Sequence, residues 1–267
     1  MLSLSRAALA VLLSAGLASA HDTWLRGPAT AAPGSTVPFD LTSSGAFPAP
    51  EHAVEPSRVA RSLCRVGGQE APFRTGSRKR QALRLRGREL PAGVAACGVS
   101  LGPRTLDLKP DEVEHYLEEV GAAATIGPRW KALPEPRAWR ETYVKHATAF
   151  VRLGTKDDAS WGEPLGLGLE IVPLSDPTRL SAGATLGVRL LKGGQPLAGL
   201  ALRASRAGKA PTFATTDADG RASFALDAGG PWLLAATELR PSAMRPSAMR
   251  PPEWESDFAT LYLVVAP

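Results

Sequence analysis

The sequence predicts an all-β-dominated protein built from two β-sandwich domains, the first of which carries a helical insertion. Three observations support this class. Apolar and polar residues alternate over short runs, long helical periodicity is scarce, and Gly and Pro are frequent, with 26 and 24 copies in 267 residues. Antiparallel sandwiches combine such strands with turns about every 8–12 residues. At 44% hydrophobic residues the chain has enough apolar side chains to bury sizeable cores.

The first twenty residues predict a cleaved signal peptide. They carry one charge, Arg6, followed by a run of small and aliphatic residues that ends in Ala18-Ser19-Ala20. A basic start, a short apolar centre and an Ala-x-Ala end are the three parts of a secretory signal. Because a membrane span needs ~20 apolar residues, a retained anchor is the weaker alternative. We therefore expect a periplasmic or secreted protein that starts at His21 and has no transmembrane segment.

The N-terminal domain is predicted to span residues 21–175. Its helical insertion, at about 109–139, begins in "DLKPDEVEHYLEEVG", where Pro110 lies in the first turn and Gly121 follows the last. The alternating segment "WRETYVKHATAFVRLG" predicts one long strand. Further strands are expected in "STVPFDLTSSG", "SRVARSLCRV", "KRQALRLRG", "AGVAACGVSLG" and "LGLGLEIVP".

The C-terminal domain is predicted to span residues 176–267 and to be a sandwich of short strands. Residues 217–220, "DADG", begin like a calcium loop but lack the further acidic ligands of that motif, so a hairpin turn with Gly220 at positive φ is expected. The duplicated segment "RPSAMRPSAMRPP", residues 240–252, contains prolines that cannot continue a strand ladder. It predicts an exposed loop.

The net charge of +5 comes mostly from scattered arginines, which are densest between Arg74 and Arg88. This cluster lacks the interleaved aromatic residues of a nucleic-acid surface, and an export signal argues against a nucleic-acid partner. We expect a solvated strand pair there, with an anionic membrane surface or an acidic partner as the alternative.

The two cysteines, Cys64 and Cys97, predict a disulfide, since an even pair in an oxidising compartment is usually bonded. A metal site built from cysteines alone needs more thiolates than this chain has.

His21 is the first candidate metal ligand. A histidine at the mature N-terminus offers a ring nitrogen and an α-amine to one ion, and the pKa of a free α-amine is only about 7.7–8. Imidazole suits zinc, copper and nickel. Asp22 is expected to supply an oxygen or to orient the imidazole. The alternative is an unliganded, frayed terminus.

A second imidazole is expected from one of the other histidines. His146 is the first choice because the long strand would fix its direction, although a hydrogen-bonded core histidine is the alternative there. His52, in a Pro-rich loop beside Glu51 and Glu55, is the second choice. His115, on the predicted helix among acidic residues, is expected to be solvated.

Several phrases, in order, resemble one family. They are "HDTWL", "GAFPAPEHAVEPSRV", "HYLEEVG", "RETYVKHATAFVRLG", "PLGLGLEIVPLSDP", "GQPLAGLALRAS", "TTDADGRASFAL" and "WESDFATLYLVV". Together they resemble the DUF4198 family of exported bacterial proteins. The resemblance implies immunoglobulin-like β-sandwich domains, a mature chain that begins with His, and a part in nickel or cobalt uptake. A complete family ligand set does not map onto the remaining histidines.

These observations predict a binding protein and not an enzyme. The chain has no G-x-S-x-G, H-E-x-x-H, Walker or dinucleotide-binding motif. We expect it to bind a transition metal, nickel or cobalt first and copper second, and to pass the ion to an uptake permease or an outer-membrane receptor. The alternative is a non-catalytic cell-envelope module that binds a receptor or a surface polymer.

Overall fold

The computed structural model describes residues 21–243 and 253–267. The predicted signal peptide and residues 244–252 of the predicted loop lie outside the described residues. Within them the chain forms eighteen strands and two α-helices. The strands are β1 (Asp22–Arg26), β2 (Thr30–Ala31), β3 (Val37–Ser44), β4 (His52–Ala53), β5 (Val59–Val66), β6 (Gln69–Arg78), β7 (Leu83–Gly87), β8 (Gly93–Leu101), β9 (Arg104–Leu108), β10 (Trp139–Leu153), β11 (Leu169–Pro173), β12 (Ala184–Lys192), β13 (Gln195–Pro196), β14 (Ala201–Arg206), β15 (Thr212–Thr215), β16 (Arg221–Leu226), β17 (Gly230–Pro241) and β18 (Glu253–Val265).

The helices are α1 (Pro110–Glu119) and α2 (Ala123–Lys131), both between β9 and β10. The all-β-dominated class and the helical insertion are therefore confirmed. Pro110 occupies the first turn of α1, and Gly121 follows its end with a φ of +73°, a conformation that glycine adopts without strain. Gly220 likewise has a positive φ, as predicted, but its turn is not a hairpin, because it connects β15 of one sheet to β16 of another.

Most of the strands belong to one long sheet. Its order is β1-β3-β7-β6-β5-β8-β10-β18-β17-β14-β15, with β2 and β9 also paired to β10 and β4 paired to β3. A second sheet contains β11, β12, β13 and β16. In the long sheet, β10 and β18 are parallel neighbours, and His146 lies opposite Ala259 in their register. Hydrogen-bonded pairing therefore crosses the predicted domain boundary at residues 175/176.

Two apolar cores lie on opposite faces of this sheet. On β10, Ala149 and Val151 belong to the first core, while Phe150 between them belongs to the second. On β18, Leu261 and Leu263 belong to the second core, and Tyr262 faces the first. Because successive side chains of a strand point to opposite faces, these two strands supply both cores at once.

The helices cover a third, aromatic core. Trp139 of β10 stacks on Trp254 of β18 with 4.5 Å between ring centroids, and Trp130 of α2 meets Trp139 edge-on. Beneath them Glu141 is fully buried, and its carboxylate accepts hydrogen bonds from Tyr116 Oη and Trp139 Nε1, both at 2.9 Å. These bonds fasten α1 to the central strand and satisfy a charge that burial alone would penalise.

The predicted disulfide between Cys64 and Cys97 is confirmed. The two residues lie opposite each other on β5 and β8, and both are fully buried in the first core. The bond closes a loop of 33 residues. On a chain-entropy estimate it stabilises the folded state by roughly 3–4 kcal/mol.

The double variant Cys64→Ala/Cys97→Ala is expected to lose roughly 3–4 kcal/mol of unfolding free energy, because its unfolded chain is no longer cross-linked. Guanidinium denaturation measures this loss. Wild-type protein unfolded in the presence of a reductant is the control and should approach the variant. Equal midpoints for the oxidised protein and the variant would contradict the prediction.

Candidate metal centre

The structure brings His21, His52 and Glu51 together at one end of β3. In the register of β3, Asp22 of β1 lies opposite Ser44, and His52 of β4 lies opposite Ser43 on the other edge. The loop that follows β3 returns to β4 and carries Glu51 directly before His52. The two histidines therefore flank one end of β3, and the loop places Glu51 next to them.

The donor atoms of these three residues are close enough to share an ion. One ligand atom from each lies within 4.8 Å of the other two. His21 Nε2 is 3.5 Å from Glu51 Oε2, and the centroids of the two imidazole rings are 5.6 Å apart. In a tetrahedral site with bonds of about 2.0–2.1 Å, ligand atoms are about 3.3 Å apart.

Glu51 is held in an anionic form. Its carboxylate accepts a hydrogen bond from the backbone N–H of Gly45 at 3.2 Å, and that bond, with nearby Ser44 and the two imidazoles, lowers the pKa of Glu51. The side chains of His21 and Glu51 are 38% and 41% exposed. The centre therefore combines two nitrogen donors and one anionic oxygen at a place that an ion can reach from solvent.

His21 and His52 form part of the rim of a cleft of about 410 Å³. The floor is made by Tyr143 and Lys145 of β10 and by Phe258 of β18. Lys145 Nζ lies 5.3 Å from the centroid of the Tyr143 ring and 5.1 Å from that of Phe258. The same ammonium donates a hydrogen bond to the backbone carbonyl of His21, which fixes the main chain at the candidate ligand.

Burial lowers the pKa of Lys145 to about 8, with nearby Arg58 adding to the effect and Asp22 opposing it.

Asp22, which the sequence predicted as a ligand, is not part of the cluster formed by His21, His52 and Glu51. Its carboxylate accepts a hydrogen bond from Arg203 of β14 at 2.5 Å, and burial raises its pKa. Asp22 therefore anchors β1 to β14 and keeps its oxygen atoms away from the two imidazoles.

The structure does not bring His146 to His21. Lys145, one residue earlier, faces the cleft, so the alternation of β10 turns His146 to the opposite face. There the ring is buried and shares hydrogen bonds with Ser100 Oγ at 2.9 Å and with Asp257 Oδ1 at 3.4 Å. His115 is exposed on α1, as the sequence predicted.

Ser100, His146 and Asp257 have the residue types of a hydrolase triad but not its arrangement. Nδ1 of the imidazole meets the serine and Nε2 meets the carboxylate, the reverse of the arrangement in serine proteases. The ring is also 95% buried, behind Gly168, with none of the three residues lining the cleft. The three residues lie on β8, β10 and β18, which are neighbouring strands of the long sheet.

Comparison with known proteins places the chain in a family. The family model described as "Domain of unknown function (DUF4198)" matches residues 18–238, which include the whole candidate centre. This chain belongs to the DUF4198 family. No curated protein matches this DUF4198 chain.

A solved structure of fibronectin(III)-like modules of Clostridium thermocellum CbhA is similar to this DUF4198 protein at 8% identity and a TM-score of 0.19, covering 91% of this chain and 95% of the other. At that score the likeness carries no information about function. Within the described residues of this DUF4198 protein, helices long and apolar enough to cross a membrane are absent.

Glu51 is the ligand candidate that the sequence prediction did not include. The sequence feature that could have identified Glu51 is local, since it is an acidic residue directly before a histidine in a proline-rich loop. The three cations of the cleft, Arg58, Arg104 and Lys145, had no such signal, because they come from three separate segments that only the fold joins.

Behind His146, Asp257 lies in a dense cluster of charges. Lys192 of β12 and Arg240 of β17 both contact its Oδ2, and Glu238 contacts the same two cations. Burial alone would raise the pKa of Asp257, but hydrogen bonds from His146, Lys192 and Arg240 hold it well below the ordinary value of 3.8. The ionised carboxylate therefore stabilises the contact between the two sheets.

The Asp257→Asn variant is expected to lose about 2–3 kcal/mol at neutral pH, a figure discounted because Lys192 and Arg240 are partly exposed. Since the folded-state pKa is depressed, the wild-type contribution is present above pH 3.8 and falls away as the pH drops below it. Urea unfolding at several pH values between about 6 and 2 measures the unfolding free energy. This free energy should change less with pH in the variant than in the wild type.

The matched control is Asp219→Asn, which changes an exposed aspartate in the turn after β15. Its pH profile should follow that of the wild type. Parallel profiles for Asp257→Asn and the wild type would mean that the carboxylate does not stabilise the fold through its charge.

Proposed function

We propose that this DUF4198 protein binds a transition metal ion through His21, His52 and Glu51 outside the cytoplasm and passes it to an uptake permease. Nickel or cobalt is the first choice and copper the second. The observation that carries the proposal is the convergence of two imidazoles and a carboxylate within 4.8 Å at an accessible rim. The protein acts as a carrier of the ion and catalyses no reaction on it.

The donor set fits a borderline transition metal. Two imidazoles and one carboxylate suit zinc, copper and nickel better than magnesium or calcium, which prefer oxygen ligands. Affinities for such a site rise from cobalt through nickel to copper, so raw affinity does not identify the cargo. The part in nickel or cobalt uptake that the family resemblance implies supports the first choice.

The orientation of the His21 ring supports binding through side chains. A histidine chelates an ion with its own α-amine through Nδ1, since Nε2 lies too far along the ring. Here Nε2 faces Glu51, at 3.5 Å. In this arrangement His21 joins His52 and Glu51 through Nε2, and the site does not depend on a free amine at residue 21.

The exposure of the centre suits transfer. Three protein ligands leave at least one coordination position open, and an open position allows an incoming ligand to attack before the outgoing ligands leave. The side chains of His21 and Glu51 are both more than one-third exposed. An acceptor with its own imidazole or carboxylate groups can therefore reach the ion without unfolding the site.

Calorimetric titration of the protein starting at His21 with Ni²⁺, Co²⁺ and Cu²⁺ is expected to show one site. His52→Ala and Glu51→Gln should each weaken binding about tenfold or more, because each removes one ligand. His115→Ala is the matched control, since it removes an exposed histidine on α1 and should leave the affinity unchanged. The absence of binding by all three ions would contradict the proposal and favour the cell-envelope interaction module.

A second titration tests the role of the amine. An extra alanine before His21 is expected to change the affinity by less than about twofold, because the Nε2 arrangement leaves the amine unused. A loss of binding in this extended protein, together with retained binding in the one that starts at His21, would instead assign the ion to Nδ1 and the amine. Glu51 would then orient the imidazole from Nε2.

A further inference from the structure

Beyond the two imidazoles, the cleft is strongly basic. Arg58, Arg104 and Lys145 all line it, and the acidic residue among the described lining residues, Glu55, forms an ion pair with Arg78 at 2.9 Å. Lys145 is half-buried, and the carboxylates of Asp22, Glu141 and Glu119 favour its charged form. The two arginines form no ion pair with any described carboxylate.

Arg58 is held in an unusual position for a cation. Its Nη2 donates to the carbonyl of Gly102 at 2.8 Å, while its buried Nε makes no hydrogen bond to any of the described residues. Burial and the neighbouring charge of Arg104 lower the pKa of Arg58. Like charges repel each other, and an anion bound in the cleft would relieve this repulsion.

The lining of the cleft favours an anion that also has a carbon skeleton. The Arg58 guanidinium lies 5.6 Å from the centroid of the Tyr143 ring, so an aromatic surface lies next to this cation. Leu106 and Phe258 add apolar lining. A volume of about 410 Å³ lies in the usual range of about 300–1,000 Å³ for small-molecule sites and is far larger than a bare ion needs.

We propose that this cleft binds a small organic polycarboxylate, whose carboxylate groups pair with Arg58 and Arg104 and whose carbon skeleton lies against Tyr143, Leu106 and Phe258. A planar guanidinium matches a carboxylate through two parallel hydrogen bonds, and two arginines accommodate a molecule with more than one carboxylate. The binding requires no metal ion.

One consequence rests on the metal-binding function proposed above. The imidazoles of His21 and His52 line the same cleft as the arginines. A polycarboxylate held there can direct a further oxygen to an ion at the rim and fill its open coordination position. The substrate would then be a metal–carboxylate complex.

The test uses citrate as the probe and protein depleted of metal on a chelating resin. At constant ionic strength, calorimetry is expected to show citrate binding to the wild type. Arg104→Gln should weaken it about tenfold, and Arg58→Gln/Arg104→Gln further. Arg104 is exposed, so its single variant tests the site even where the double variant unfolds. Arg88→Gln, which changes an exposed arginine outside the cleft, is the matched control and should bind as the wild type does.

Excess sulfate at the same ionic strength separates a carboxylate site from a general attraction of anions. Citrate binding that survives sulfate supports the proposal. No citrate binding, full displacement by sulfate, or an equal loss in Arg88→Gln overturns it. Because this titration contains no metal and the metal titration contains no carboxylate, either proposal can fail while the other stands.

Discussion

The parallel pairing of β10 with β18 is the constraint on which the rest of the structure depends. Both strands are buried on both faces along much of their length, and their side chains enter the two main cores alternately. At one end the same pair supplies Trp139 and Trp254 to the aromatic core beneath the helices. Every packed layer of the protein therefore includes this pair of strands, and a one-residue shift between them would misplace side chains in all three cores.

The same pairing positions the candidate centre. Tyr143 and Lys145 project from β10 beside Phe258 of β18, and together they form the floor against which β1 is laid. The Lys145 ammonium binds the carbonyl of His21, and Arg203 of β14 binds the carboxylate of Asp22. Two cations from different strands thus fix His21 and Asp22 at the start of β1, and the imidazole of His21 lies close to His52 and Glu51.

The sequence allowed the strands, the helical insertion, the turn at Gly220 and the disulfide to be predicted, because each depends on a local pattern or on the number of cysteines. The prediction that this turn closes a hairpin was wrong, because a local turn signal does not specify which strands pair. Which side chains of β10 face the cleft could not be predicted in this way. A strand with one solvated face shows which side chains point inward, but β10 has apolar residues on both faces, so Lys145 and His146 were equally good candidates to face the cleft. His146 consequently took the place in the predicted ligand set that Glu51 occupies in space.

The position of β18 in the chain affects the order in which the protein can assemble. During synthesis β10 is complete long before its neighbour exists, and until then the middle of the long sheet has an open edge with unpaired backbone N–H and C=O groups. Such an edge recruits strands from other molecules. A partly made chain is therefore open to pairing with other molecules until its last strand has been synthesised.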